Sequence, residues 1–427
     1  MISLLKKLWN DRSGNALVVV CATMPLVVAA AGLASDTIQW TLWKRQLQRA
    51  ADSAAIAGVY DRSQNTGATT YTNAAVTRDL ALNDHTWMAL KTGYPQVSFP
   101  ADSGVAKYQV EVSLAVQQPL PFSAFFLTTA PTITATARAA SVPSEGDPCI
   151  NSLDTSASTG VSFTGNAGVE MANCLIHSNS RSSNSASAGG SSSVTALAVS
   201  AVGGIQSSNN WHVQAYRPYS VTIDDPFSSV DPNPADMNCK AGQMPANPSA
   251  DIASGKNCWG SISVGPGETF DLPDDRTYYI NGGDMDVKGT LTCQRCTFVL
   301  TNNSSASSPT IGQLKVNSSA DINIEAPTTG TFKGIAIMQD RRAGTSNQDN
   351  KVNGNSGSII QGALYFPTQS LDYNGSGTTS AICTMFVTFR VKFSGNSSTT
   401  NKFKSMSECG AYGLGGNASL RMVRLVS

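Results

Sequence analysis

Apolar and polar positions divide the chain into stretches of different period. Residues 13–35 carry no charged side chain, and apolar residues run almost unbroken from 16 to 34. A helix rising ~1.5 Å per residue needs about 20 residues to cross a bilayer's hydrocarbon, and this run just suffices. Pro25 is tolerated inside a membrane helix. Ala16, Leu17, Val18, Pro25, Leu26, Val27, Val28 and Leu33 therefore read as a membrane anchor. From 36 to 57 there is no proline or glycine, and Leu42, Leu47, Ala50, Ala51, Ala54 and Ala55 make an apolar, small-residue stripe of helical spacing. Asp36, Asp52, Lys44, Arg45 and Arg49 take the other faces, and Gly58 is the expected stop. Such a stripe allows close backbone approach, either to a partner helix in the membrane-proximal layer or to the chain's own neighbouring unit. A cleavable export signal competes with the anchor, because 29–31 and 32–34 offer small residues to a peptidase. The run is longer than a signal core and continues as helix, which favours retention of residues 1–34.

The pattern then shortens. Residues 71–90 suit a short surface helix, and Val97-Ser98-Phe99, Tyr108 through Leu114 and Ile133 through Ala137 alternate with period two, as half-buried strands do. A small α+β unit over 61–146 is expected, after a 1–60 anchor and extended helix. From 147 to 427 short apolar bursts are separated by Gly, Asn, Ser or Asp: Val161-Ser162-Phe163, Val194 to Leu197, Phe298-Val299-Leu300, Ile322-Asn323-Ile324, Ile335-Ala336-Ile337, Ala363 to Phe366 and Phe386 to Phe389. Residues 178–193, rich in Ser and Gly, and 217–257, rich in proline, read as loops. The third stretch is thus a large mainly-β domain, a parallel β-helix with a β-sandwich as alternative.

Composition adds two constraints. Charged residues are 14% of the chain, against roughly one quarter in soluble domains, and acids and bases balance at 29 each. No net field attracts nucleic acid, which is not expected as a partner. Of nine cysteines, Cys21 lies in the apolar run. Cys149, Cys174, Cys239, Cys258, Cys293, Cys296, Cys383 and Cys409 follow it, an even set that reads as disulfides made in an oxidising compartment. Pairing of sequence neighbours is expected, because short loops close at least entropic cost. Lys6, Lys7 and Arg12 balance Lys44, Arg45 and Arg49 across the run, so charge alone gives no orientation. The cysteines place the C-terminal part in the periplasm and the N-terminal tail in the cytoplasm of an inner-membrane, single-pass chain, with outer-membrane or surface residence as the alternative.

Candidate chemistry is sparse. Asp154-Thr155-Ser156-Ala157-Ser158 fits a metal-ion-dependent adhesion pattern, but residues 147–153 read as a poor buried strand and a Ser/Thr-rich turn is the better reading. Cys293-Gln294-Arg295-Cys296 sits among strand residues, which suits a structural disulfide rather than a redox centre at a helix N-terminus. Asp284, Asp286 and Asp321, with Lys288 nearby, would be the carboxylates of a polysaccharide-cleaving β-helix, or solvated turn residues. Glu170, Met171 and His177 form no recognisable constellation, and no nucleophile elbow, zinc-protease or phosphate-loop motif occurs. No catalytic residue, cofactor, metal or small-molecule substrate is expected.

Arg12-Ser13-Gly14-Asn15-Ala16, the apolar run with Pro25, then Gly32 and Asp36, closing on Leu47-Gln48-Arg49-Ala50-Ala51-Asp52-Ser53-Ala54-Ala55-Ile56-Ala57-Gly58, resemble in order and spacing the N-terminal region of the TadE/TadG-like proteins of tight-adherence (Flp) pilus assembly. Processed pilin-like members carry a glutamate shortly after the cleavage glycine. Residues 15–19 here are Asn, Ala, Leu, Val and Val, which fits the uncleaved TadG-like type. Residues 119–126 match in character the segment between strands of the family's anchor-proximal unit. Ala326 to Gly330, Gly334 to Ile337, Gly362 to Pro367, Phe393 to Ser397 and Leu425-Val426 resemble, more loosely, the β-rich region of members without a von Willebrand A domain. The resemblance implies pilus assembly, adhesion and biofilm formation, with the membrane and other pilus-assembly or pilin-like proteins as partners. A surface adhesin that binds glycan or cells is the alternative from outside this reading, and a β-helical carbohydrate-active enzyme a further one.

Overall fold

The computed structural model describes residues 14–65, 67–82, 89–144, 146–344, 350–353, 358–374, 383–395, 398–399, 408–414 and 421–426. Lys6, Lys7, Arg12, Ser13, Asn396 and Ser397 lie outside them. The chain forms two compact units, Met1–Val142 with Val423–Ser427, and Pro143–Met422.

One helix, α1 (Gly14–Gln64), runs unbroken through Pro25. At ~1.5 Å per residue it is about 77 Å long. The expected stop at Gly58 is wrong, because Gly58 serves close approach instead. A Cβ there would lie 2.9 Å from Val110 Cγ1 and 3.3 Å from Val76 Cγ2, so a larger residue would push the helix off its neighbours. The helix ends a turn and a half later, where the Gly67 amide, at φ +86°, bonds the Arg62 carbonyl at 2.7 Å.

A shorter helix, α2 (Thr72–Leu82), and strands β1 (Gln96–Ser98), β2 (Lys107–Gln117) and β3 (Thr132–Pro143) complete the first unit. The strands pair antiparallel, with Val97 opposite Val112 and Leu114 opposite Ala135. Strand Arg421–Leu425 adds to the far side of β3. Period-two alternation puts Val110, Val112, Leu114, Ile133, Ala135 and Ala137 on one face. That face and α1 share a core.

The second unit is mainly β, and its strands wind as a helix-like parallel sheet. Every strand pairing described within it is parallel. Three ladders recur as the chain turns. One includes Tyr279↔Val299↔Met338↔Tyr365↔Val387↔Asn151↔His177↔Ser200. The second includes Val287↔Val316↔Val352↔Tyr373↔Phe393↔Phe163↔Ala188. The third includes Phe270↔Leu291↔Ile322. Offsets along the first ladder from Tyr279 to Val387 are 20, 39, 27 and 22 residues. Turns of such unequal length leave no period to align. One position earlier on the first ladder, Tyr278 stacks on Phe298 at 5.3 Å and on Trp259 at 6.3 Å, in an interior of large side chains.

Winding order differs from chain order. Strand Thr384–Phe393 pairs with Pro148–Ser152 and Val161–Phe163, so the first strands of the unit lie inside the stack. The end strands are Trp211–Arg217 and Cys239–Gln243, which are close in sequence and ten strand spacings apart on the ladder, about 48 Å. Residues 218–238 bridge them as a strap lying along the sheet's outer face. The Ile223 amide bonds Asn179 Oδ1 at 2.9 Å, Asp225 accepts from the Tyr365 hydroxyl at 2.6 Å, Asp231 pairs with Arg341, and the Asp236 carbonyl accepts from Asn257 at 2.8 Å. Extended chain of this length reaches ~70 Å, ample for the span. The proline-rich stretch read as loop is a fixed part of the fold. Helix Ser249–Ala253 places Ile252 over the Cys239–Gln243 end, held by Lys240 on Asp251 at 2.7 Å.

Candidate functional site: the long helix and the side chains weighed for chemistry

The two halves of α1 meet different surroundings. Val19, Val20, Met24, Leu26, Val27, Val28 and Leu33 are each between 52% and 70% exposed, and Pro25 is exposed among them. Ala16, Leu17 and Val18 lie in the same helix. So much apolar surface in contact with water is unfavourable at about 25 cal/mol per Å², and the helix is long and apolar enough to cross a membrane. Beyond it Leu47, Ala51, Ala54, Ala55 and Val59 are fully buried and Ala50 nearly so. They pack against Val110, Val112, Leu114, Ile133 and Ala135 of the same unit. The alanine stripe is covered by the chain's own sheet. Polar bonds fix the register: Lys44 Nζ donates to the Thr134 carbonyl, and Gln48 donates to the Thr136 carbonyl at 3.0 Å.

Between the halves stands Asp36, 3% exposed. Its carboxylate accepts from the Phe122 amide at 2.9 Å, the Ser123 amide at 2.6 Å and the Ser123 hydroxyl. These residues open the short 3₁₀ turn Ser123–Phe125 in the β2–β3 connection. One helical turn earlier Gly32 lies under Phe122, where a Cβ would come within 2.3 Å of the ring. The sequence signal was present: a lone acid just past an apolar run, four residues after a glycine.

Residues 14–63 match the family described as "Tad: Putative Flp pilus-assembly TadE/G-like". The Tad match begins and ends within one residue of α1. No curated protein and no solved structure matches the chain. The Tad segment therefore comprises both the exposed apolar half and the buried alanine half of one helix.

The cysteines pair in sequence order: Cys149–Cys174, Cys239–Cys258, Cys293–Cys296 and Cys383–Cys409, with Cys21 free and exposed on the Tad helix. Cys149–Cys174 and Cys239–Cys258 each stitch strands adjacent in the first ladder. Cys293–Cys296 closes the turn between two strands and Cys383–Cys409 ties a strand start to the short turn Glu408–Tyr412.

Three of the carboxylates weighed for chemistry, Asp154, Asp284 and Asp286, are occupied. Against expectation a wholly buried strand, Pro148–Ser152, precedes Asp154, but Asp154 is itself buried, takes Arg390 Nε at 2.5 Å and accepts from the Ser156 amide at 2.7 Å and its hydroxyl at 3.0 Å, which makes a capped turn. Asp284 pairs with Lys315 at 2.5 Å and Asp286 with Lys288 at 2.7 Å. Burial pushes the Asp284 carboxyl up, but the bonds from Lys315 and the Gln313 amide outweigh it and hold it below the usual range. Asp321 stands on strand Asp321–Glu325 in the third ladder, apart from Asp286 on the one that pairs Met285–Val287 with Leu314–Val316. Among the described residues no group of three or more His, Cys, Asp or Glu is placed to hold a metal.

Glu170 is exposed beside buried Met171 on the outer part of strand Gly168–Ser178. His177, on the same strand, is wholly buried. Its ring contacts Ser200 Oγ at 3.1 Å and Asn179 Oδ1 at 3.0 Å, and Asn179 in turn donates to the Ile223 carbonyl of the strap at 2.8 Å. Burial depresses its pKa to about 4 against the smaller opposing effect of Asn179, so the imidazole is neutral. A polar cleft of about 460 Å³ opens on the large unit among Asp236, Lys256, Arg276, Tyr279, Arg295 and Phe332. Arg295 is taken by Asp275 at 2.6 Å.

Proposed function

We propose that this protein is a membrane-anchored structural component of Flp (tight-adherence) pilus assembly, and that it works by packing against other proteins rather than by catalysis. The observation that carries this reading is the coincidence of the Tad match with a helix whose first half exposes apolar side chains all round. In the proposal that half spans the inner membrane once, the residues before it face the cytoplasm, and the two units stand in the periplasm. Four disulfides support that side, since thiols pair where the compartment is oxidising. The large unit, with its three parallel ladders, is read as a parallel β-helix, and the first unit as a small α+β domain. The alanine stripe is already covered, so the partner-binding surface of this proposal lies on the outside of the two units. A non-enzymatic role agrees with Asp154, Asp284 and Asp286 each held by a basic partner.

The polar cleft beside Arg276 favours one second reading, a surface adhesin that takes a polar glycan there. Complementation separates the two. In cells that make Flp pili, loss of this chain should abolish piliation seen by electron microscopy. The full chain should restore it and a chain lacking 14–63 should not. Normal piliation without the chain, with adhesion lost, would overturn the assembly role in favour of the adhesin.

A further inference from the structure

The connection between β2 and β3 carries a feature that the core does not use. Residues 112–137 contain no charged side chain. At the tip Phe125 is 83% exposed, Phe126 73% and Leu127 53%. Three adjacent large apolar side chains facing water mark an interaction surface rather than a random exposure. The tip is not free to turn away, because Asp36 holds its backbone at Phe122 and Ser123 and the Phe122 ring lies on Gly32. Phe122 and Phe126 lie 5.3 Å apart, centroid to centroid, so the held part and the exposed part are one cluster. The attachment falls where the exposed apolar half of α1 ends, beside Leu33 and Ile38, both more than half exposed. Trp40, 41% exposed, follows one turn later, and then Lys44 and Arg45. Aromatic residues followed by bases are the usual order at a membrane–water boundary.

We propose that residues 119–127 form a second membrane contact, with Phe125, Phe126 and Leu127 seated in the interfacial layer of the bilayer beside residues 32–38 of α1. This rests on the anchor reading of α1. The patch is continuous with the apolar helix surface, so the phase that covers one covers the other. Backbone donors that enter a low-dielectric layer need partners, and Asp36 supplies them to Phe122 and Ser123. The result is a foot that sets the height and tilt of the first unit over the membrane, where a single helix would let it swivel.

The test uses the full chain with Cys21→Ala, reconstituted in phosphatidylethanolamine–phosphatidylglycerol vesicles. A polarity-sensitive fluorophore is attached in turn at Phe125→Cys, Val28→Cys and Val105→Cys, with nitroxide-bearing lipids as quenchers. Val105 lies before β2, at the other end of that strand from the loop, about 35 Å away. Labels at 28 and 125 should shift to the blue and lose emission to the lipid quenchers, the first to deep ones and the second to shallow ones. The label at 105 should keep water-like emission. Quenching at 28 with none at 125 would overturn the foot and leave the anchor intact. A blue shift at 125 without lipid quenching would overturn it in favour of a protein contact. No quenching at 28 would remove the anchor reading and the foot with it.

Discussion

The two units solve the same packing problem with opposite materials. In the first, α1 lies on an antiparallel sheet and the contact is built from Ala50, Ala51, Ala54, Ala55 and Gly58, so that backbones approach closely. In the second, strands stack in parallel and the interior is filled by Trp259, Tyr278, Phe298, Phe386 and Phe393. Small side chains contribute little apolar area each, so the first core depends on fit. Large ones contribute much, and the second core depends on volume. The comparison therefore predicts opposite sensitivities: the large unit to loss of bulk, the small unit to its addition.

Loss of bulk should have the largest effect. Phe298 is fully buried and stacked on Tyr278 at 5.3 Å, and Phe298→Ala should cost about 3–5 kcal/mol. Thermal unfolding followed by hydrogen exchange should show lost protection through the large unit while β2 and β3 keep theirs. A matching loss in β2 would mean that the two cores melt as one.

Acid should produce the next largest change, again in the large unit. His177 has a folded pKa of about 4 against an ordinary 6.5. Between those values the unfolded chain binds more protons than the folded one, so stability rises with pH. The contribution is complete above pH 6.5 and is lost as pH falls towards 4, about 3 kcal/mol in all. Denaturant midpoints of the large unit should fall across that window, and His177→Gln should be flatter. A midpoint that falls no more steeply in the parent chain than in His177→Gln would show that His177 is solvated.

How far the sequence discloses each unit follows the same division. The long apolar helix, its alanine stripe and the small unit's strands were legible because their partners are near in sequence and their periods are regular. Gly58 misled, since a glycine for close approach and a glycine for a helix stop look alike without the neighbour. In the large unit each quoted apolar burst lies in a strand. The order of winding was not legible, because Phe386 meets Ile150 across 236 residues. Nor was the strap: Asp225 and Phe227 have no periodic neighbours, and only Tyr365 and Arg341 give them meaning. The same distance hid the role of Asp154, whose partner is Arg390.

Added bulk tests the other side of the comparison. Ala51 has no exposed surface and faces the sheet, so Ala51→Leu should strain the contact by about 1–3 kcal/mol. Amides of β2 should exchange faster while those of Thr297–Thr301 do not change. Full retention of β2 protection would show that the sheet can yield, and that fit is not what holds the small unit.

The smallest effect should come from the strap, which Phe227 and the partly buried Val230 and Met237 tie to the large unit's core. Arg341 donates to the Phe227 and Val230 carbonyls at 3.2 Å and to the Tyr365 hydroxyl at 3.1 Å, and pairs with Asp231. Its side chain is 31% exposed, so the ion pair itself is partly screened and contributes at most about 1 kcal/mol. Removing it costs the Phe227 and Val230 carbonyls one donor each, and the Phe227 carbonyl keeps the Val230 amide at 2.9 Å. Arg341→Met should thus loosen residues 225–231 by about 1 kcal/mol and leave the ladders intact. The measurement is hydrogen exchange at Phe227 and Val230 beside that at Val299 and Met338. Faster exchange confined to the strap is the expected result. Equal acceleration in the ladders would mean that the strap closes the stack as an integral layer, and that the second unit depends on fit after all.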